Sequence, residues 1–426
     1  MASSEIYTFY DIHCHTMDLS HPCLYAFMKR YTQLIPLAGS AIGFLAQIKW
    51  IFSRRKIKNL LSIMERSIEE MLYAMERELP ILEIHEGQKF GSMVITPLMM
   101  DFWSHEPQES IDYPFVPKSI IPQVTDVFNG IATFARTTQR KTNMKVFPFM
   151  GLNTTYCYLK GKKEKPYENT ELEKLLDKYF GIDTEHGKDP YQGTRAALEQ
   201  SFGTFEGDIE KLGRNCFAGI KLYPPLGFDP WPDPKKNSHE NKKVKYLYSF
   251  CQENDIPITA HCSDGGYIVG SKQEAEKRAH PRKWKDVLSE FSKLKLNLAH
   301  FGGKNAGFRY AATGNPFKSL YQKIRRGGDP KWVETIIDLI NTYENVYTDM
   351  SFSGVNKDYY RVLAHIIKKH QKLKGHLLFG TDFFINLTHI RSYKEYIVNF
   401  LDTPHLMPDV KFKLCHSNPE RFLFGH

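Results

Sequence analysis

The sequence contains few of the features that mark secreted proteins. Its seven cysteines are odd in number, lie far apart and include no C-x-x-C pair, so they do not form a disulfide framework. The first residues, MASSEIYTFYD, contain neither a basic region nor a long apolar stretch, and no signal peptide is predicted. Reduced thiols of this kind are typical of the cytosol, so we expect a cytoplasmic location.

A hydrophobic run long enough to cross a bilayer is also missing. The most apolar stretch, residues 34–52, contains Pro36, Gln47 and Lys49 and is short for a span of about 20 apolar residues. We therefore expect no membrane span. Because large exposed apolar patches are rare, this stretch should pack over the folded domain or against a second copy of the chain.

The positive charge is moderate and dispersed. The formal net charge of +9 comes from lysines and arginines scattered along the chain, and no aromatic–basic binding motif accompanies them. We expect no nucleic-acid partner. The charge indicates either a solvated basic surface or a mild preference for anionic substrates or membrane surfaces.

Eight short apolar runs recur along the chain, and most are followed by an amphipathic helical pattern. They span residues 6–13, 92–102, 145–153, 217–224, 256–262, 296–302, 345–351 and 376–383. Near-continuous apolar runs of this length are typical of buried parallel strands. Strands and helices that alternate eight times predict an α/β fold of the (β/α)₈ barrel type.

Two of the connections between these runs are long. Residues 16–91 follow the first strand and residues 154–216 follow the third. We interpret both as insertions that lie over the mouth or side of the barrel. The whole chain, residues 1–426, is then a single domain.

Polar side chains occur near the same end of several predicted strands. They are His13 and His15 in the first, Lys221 in the fourth, His261 in the fifth, His300 in the sixth and Asp382 in the eighth. The C-terminal ends of barrel strands carry the functional groups of such folds. Residues two apart in a strand share a face, so His13 and His15 point the same way. Together these residues predict a metal site.

Several segments resemble one family in order along the whole chain. DIHCH, GIKLYPP, TAHCSD, LAHFGG, LLFGTDF and NPERFLF are similar to motifs of the amidohydrolase superfamily, especially its amidohydrolase-2 branch of metal-dependent hydrolases and decarboxylases. The resemblance implies a hydrolase that activates water for attack on an amide, lactone or ester of a small molecule. A decarboxylase or other lyase on the same scaffold is the alternative, and a non-catalytic ligand-binding barrel is a third.

Imidazoles and a carboxylate suit one or two Zn²⁺ ions, and Mn²⁺ or Fe²⁺ are alternatives. By resemblance, Asp382 is both a ligand and the general base, and His261 is a ligand in either arrangement. His300 either binds a second metal or polarises the substrate and stabilises the developing oxyanion.

Lys221 has three interpretations. In two-metal members of the superfamily, a lysine at this position is carboxylated and bridges the metals, which requires a neutral amine. In single-metal members, a lysine in a similar GIK segment need not bind metal, and it can stay cationic and hold a substrate carboxylate. The third interpretation is a structural lysine paired with a nearby acid.

Four other residues are weaker candidates. Tyr223 follows Lys221 by two and either contacts substrate or packs in the core. Asp101 and His105 follow the second strand and either contact substrate or cap a loop. Asp349 either orients a ligand histidine or is an ordinary buried carboxylate with satisfied hydrogen bonds.

Overall fold

The computed structural model describes residues 7–22, 55–84, 88–102, 120–137, 142–161, 163–183, 189–268, 271–312 and 327–425. Within these ranges, none of the helices combines the length and the apolar character that a bilayer crossing requires. The apolar stretch 34–52 lies entirely outside the described residues, so its packing stays a prediction.

Eight parallel strands form a closed barrel. They are β1 Tyr7–Cys14, β2 Gln88–Pro97, β3 in two pieces (Met144–Val146 and Phe149–Gly151), β4 Gly219–Leu222, β5 Ile258–Ser263, β6 Leu296–Gly302, β7 Val346–Asp349 and β8 Leu377–Leu378. Each pairs with the next along the chain. A parallel bridge between Cys14 and Phe383 closes the ring. The predicted (β/α)₈ barrel is therefore confirmed.

Helices surround this barrel. In the described residues they are Arg55–Met64, Ile68–Arg77, Ile120–Arg136, Leu172–Phe180, Arg195–Ser201, Ser238–Glu253, Lys272–Ala279, Lys283–Glu290, Lys304–Ala312, Pro330–Thr342, Asp358–Lys369, Tyr393–Leu401, Pro408–Phe412 and Asn418–Phe424, labelled α1 to α14. The start of α10 shows why such helices begin where they do. Asp329 caps it by accepting a bond from the Lys331 backbone, and Pro330 has no N–H left to satisfy.

Two elements are shorter than their sequence pattern indicates. The apolar run 145–153 is divided because Pro148 has no N–H for a strand ladder. The eighth run stops after Leu378, since the chain turns so that Asp382 has a positive φ of 59°. The long connections contain α1 and α2 after β1, and α4 and α5 after β3; the insertion and single-domain assignments stay predictions.

A buried ion network holds the segment after β3 against α6. Lys243, with no exposed surface, donates to Glu240 (2.7 Å), to Glu168 (3.0 Å) and to the carbonyl oxygen of Cys157 (2.8 Å). Burial alone would raise the pKa of Glu168, but the bonds from Lys243, the Lys165 backbone and other donors hold it at about 2. Lys243 is the fully buried cation that both carboxylates share; Lys165 also pairs with Glu240 (3.1 Å), and His239 also contacts Glu168 (2.8 Å).

Lys243→Met is expected to destabilise the protein by about 3 kcal/mol, the lower end of the range for breaking a buried ion pair. It removes the buried ammonium that Glu168 and Glu240 share, while Lys165 still pairs with Glu240 and His239 still contacts Glu168. Denaturant unfolding of the variant and the wild type measures the loss. Lys245→Met, two residues further along α6, is the control. Its partner Glu290 is partly exposed, so the loss there should stay below about 1 kcal/mol. Equal losses in the two variants would contradict the prediction.

Candidate metal centre

His13 and His15 lie at the end of β1, and the partners of their Nδ1 atoms fix their protonation. His13 Nδ1 is 3.0 Å from Asp349 Oδ2, and His15 Nδ1 is 3.0 Å from the carbonyl oxygen of Leu98. A carboxylate and a carbonyl can only accept, so each Nδ1 carries the proton of a neutral ring. Each Nε2 atom therefore keeps a lone pair, which is the form that binds a metal.

The lone pairs of both histidines point at Asp382. Asp382 Oδ1 lies 3.1 Å from His15 Nε2 and 3.5 Å from His13 Nε2. His13 Nε2 is buried and has no hydrogen-bond partner among the described residues. Three acceptor atoms thus converge with no proton to place between them. This arrangement fits a cation, and two imidazoles with a carboxylate suit a divalent transition metal.

The electrostatics favour the same protonation states. Burial lowers the pKa of His13 to about 3, against the opposing pull of Asp349. Burial by itself raises the pKa of Asp382, but the close contact with His15 and the nearby rings of His300 and His13 bring it below its usual range. The histidine is therefore neutral and the carboxylate is ionised at neutral pH.

Asp349 at the end of β7 organises the neighbouring side chains. Besides His13, its carboxylate accepts bonds from Asn297 Nδ2 (2.8 Å) and from the backbone N–H groups of His300 and Ser351 (both 3.0 Å). Asp349 thus orients a candidate ligand histidine, as one of its two interpretations proposed. Asn297 and Ser351 were not predicted; the one available signal is that Ser351 follows Asp349 by two residues.

His261 and His300 form a second pair beside the first. His261 Nε2 lies 3.0 Å from the carbonyl oxygen of Gly265, so its Nδ1 atom keeps a lone pair, and this atom is 3.1 Å from His300 Nε2. His300 Nδ1 is 2.8 Å from the Ser351 hydroxyl. The ring centres of His13 and His300 are 4.6 Å apart. The four histidines are therefore contiguous. Two groups of three side chains that contain His13 lie close enough to share one metal ion, namely His13, His15 and Asp382, and His13, His300 and Asp349; neither group includes His261.

Lys221 on β4 is buried close to this group. It is 1% exposed, and its Nζ atom has no hydrogen-bond partner among the described residues. Burial lowers the pKa of Lys221 to about 8, while the charges of Asp349 and Asp382 oppose that shift. Its own charge helps to lower the pKa of His13, His261 and His300. An amine of this kind can exchange its proton near neutral pH.

The three remaining weaker candidates, besides Asp349, fall in different places. The Tyr223 ring lies 4.5 Å from the ring of His261, and its hydroxyl accepts a bond from the Tyr267 backbone (3.0 Å). Asp101 is buried just beyond β2. His105 lies outside the described residues. Contact of these residues with substrate stays a prediction.

A family model described as amidohydrolase matches residues 192–425, more than half of the chain. The chain belongs to the amidohydrolase family. The match contains the candidate ligands on β4, β5, β6 and after β8, namely Lys221, His261, His300 and Asp382. His13 and His15 precede it, so their place in this amidohydrolase rests on the barrel geometry.

Distant likenesses to solved structures extend over nearly the whole amidohydrolase chain. A 5-carboxyvanillate decarboxylase from Novosphingobium aromaticivorans, complexed with manganese, is 9% identical, with 99% of this chain and 96% of that chain covered and a TM-score of 0.45. A probable 2-pyrone-4,6-dicarboxylic acid hydrolase from Acinetobacter baumannii is 12% identical, with 98% and 99% covered and a TM-score of 0.45. An amidohydrolase from Burkholderia multivorans with bound zinc is 10% identical, with 98% and 99% covered and a TM-score of 0.41. No curated protein has a significantly similar sequence.

Proposed function

We propose that this protein is a metal-dependent hydrolase that activates water for attack on an amide, lactone or ester of a small molecule. The observation that carries the proposal is the convergence of His13 Nε2, His15 Nε2 and Asp382 Oδ1 with no proton to share. These three atoms would hold a divalent ion, with zinc the first choice and manganese or iron the alternatives. His261 and His300 would complete this set or hold a second ion.

A divalent ion at these ligands would supply Lewis-acid chemistry, which lowers the pKa of water and polarises a carbonyl. Asp382 accepts the proton of the attacking water, because its carboxylate is ionised and follows the C-terminal end of β8. Where His300 binds no ion, it donates to the oxyanion that develops on the substrate. Asp349 keeps His13 in the tautomer that leaves Nε2 available.

Lys221 favours a substrate with a carboxylate group. Its buried amine has no hydrogen-bond partner within the part of the chain that the structure describes, and a buried cation is stabilised by an anion beside it. The carboxylated form of Lys221, which would bridge two ions, is the competing interpretation. A bound carboxylate could also be the group that leaves as carbon dioxide, so decarboxylation on the same ligands is the second candidate function.

Metal removal tests the proposal. The protein is treated with a chelator, and zinc, manganese or iron is then returned while turnover of lactones, amides and aryl carboxylates is followed. We expect activity to vanish on chelation and to return with at least one ion. Release of carbon dioxide identifies a decarboxylase, and an acid product without it identifies a hydrolase. Full activity in the metal-free protein would refute metal dependence, and ligand binding without turnover on the whole panel would favour a non-catalytic barrel.

A further inference from the structure

Asp11 is a buried carboxylate. It does not belong to any group of side chains in the described residues that could hold a metal ion. It lies on β1, two residues before His13, and a shift in the β1–β2 register separates Asp11 from Cys14. A lone buried carboxylate is costly unless donors surround it. The reason for its presence therefore has to be found in its contacts.

Donors fill both oxygens of Asp11. Oδ1 accepts from the backbone N–H groups of Thr381 (3.0 Å) and His13 (3.3 Å). Oδ2 accepts from the Thr381 hydroxyl (2.7 Å) and the Tyr393 hydroxyl (2.9 Å). A carboxylate has acceptor positions for all four donors. Burial raises the pKa of Asp11 to about 7, and the bonds from Thr381, Tyr393 and His13 oppose that rise.

These bonds join the two chain segments that carry the metal ligands. Thr381 directly precedes Asp382, and the N–H groups of both residues also reach the carbonyl oxygen of His13 (3.1 and 2.7 Å). The backbone of Asp382 has a φ of 59°, a conformation that a non-glycine residue adopts only when its surroundings hold it there. Asp11 supplies part of that hold, since it fastens the residue before Asp382 to the strand that bears His13.

We propose that Asp11 is a positioning residue of the metal centre: by binding Thr381 and the His13 backbone together, it sets the separation between the Asp382 carboxylate and the two β1 imidazoles. The inference rests on the proposed metal site and adds to it a residue that touches neither metal nor substrate. Partners of this kind, one step removed from the ion, change metal affinity by about 10–100-fold when they are replaced.

Metal affinity, measured with Zn²⁺ by competition against a chromophoric chelator, tests the inference without an assay of turnover. Asp11→Ala should weaken Zn²⁺ binding by about 10–100-fold. Asp11→Asn keeps the shape of the side chain and the Oδ1 contacts. Its loss of Zn²⁺ affinity should therefore lie near the lower end of that range, at about tenfold. The spectrum of bound Co²⁺ reports ligand geometry directly, and it should change in both variants.

The control is Tyr248→Phe, which removes a buried hydroxyl that donates to the carbonyl oxygen of Pro230 (2.9 Å), outside the metal centre. It should leave the affinity and the Co²⁺ spectrum unchanged. If Asp11 were merely structural, its variants would melt at a lower temperature without metal but bind Zn²⁺ as tightly as the wild type, and the inference would fail. If Asp11→Ala does not fold, Asp11→Asn decides. Absence of Zn²⁺ binding by the wild type would instead refute the proposed metal site.

Discussion

Asp382→Asn is expected to stay folded and to retain part of its metal while kcat falls by roughly 10²–10⁴, the range for losing general acid–base catalysis. The asparagine keeps the size of the side chain and one oxygen that can bind a cation. It removes the negative charge and nearly all of the basicity. Because Asp382 is the proposed proton acceptor for the attacking water, the chemical step should suffer most.

The measurement is kcat for the wild type and the variant on the substrate that the panel identifies, at equal metal content. Asp255→Asn is a suitable control, because Asp255 precedes β5 at the opposite end of the barrel and pairs with Lys295 there. It should turn over substrate at the wild-type rate. Near-normal kcat in Asp382→Asn would exclude Asp382 as the base and weaken the hydrolase proposal.

The double variant His13→Ala/His15→Ala is expected to lose its metal. Two of the three converging acceptor atoms disappear, and the remaining Asp382 carboxylate offers too few ligands for a tightly held ion. Elemental analysis after dialysis against metal-free buffer should show less than one tenth of the wild-type content, on the order of the losses seen when metal sites are perturbed.

A second double variant controls for the number of histidines. His370→Ala/His405→Ala removes two imidazoles, of which His370 bonds to the Tyr310 hydroxyl and neither belongs to a candidate ligand cluster. Its metal content should equal that of the wild type. Full metal retention in His13→Ala/His15→Ala, with the fold intact, would overturn the assignment of the site.

The barrel could be predicted because each strand is indicated by a short run of neighbouring apolar residues in the sequence. The run 296–302 coincides with β6, whose seven residues are all buried, as is typical of a parallel strand covered on both faces. The eighth run was predicted to reach residue 383, yet β8 ends at Leu378. β8 is shortened by the turn around Asp382, and this turn is held by the bond between Asp11 and Thr381, which are 370 positions apart. A local sequence pattern cannot indicate a contact between residues so far apart.

The same limit applies to the metal centre. Periodicity placed His13 and His15 together, and strand ends predicted that His261, His300 and Asp382 would lie near them. The sequence could not tell which nitrogen of each ring faces the centre, because that depends on acceptors such as Leu98 and Gly265 from other parts of the barrel. Proton positions follow from those partners, and they are what distinguishes a metal site from a group of ordinary buried histidines.

Closure of the ring by β1 and β8 has a consequence for how the protein matures. Asp382 follows His15 by 367 positions, so it is synthesised long after the two histidines. Bringing such distant segments together is the slow and entropically demanding part of forming a barrel. A chain that has not yet been extended past β8 therefore lacks the complete set of ligands, and uptake of an ion at the proposed site would report that the ring is closed.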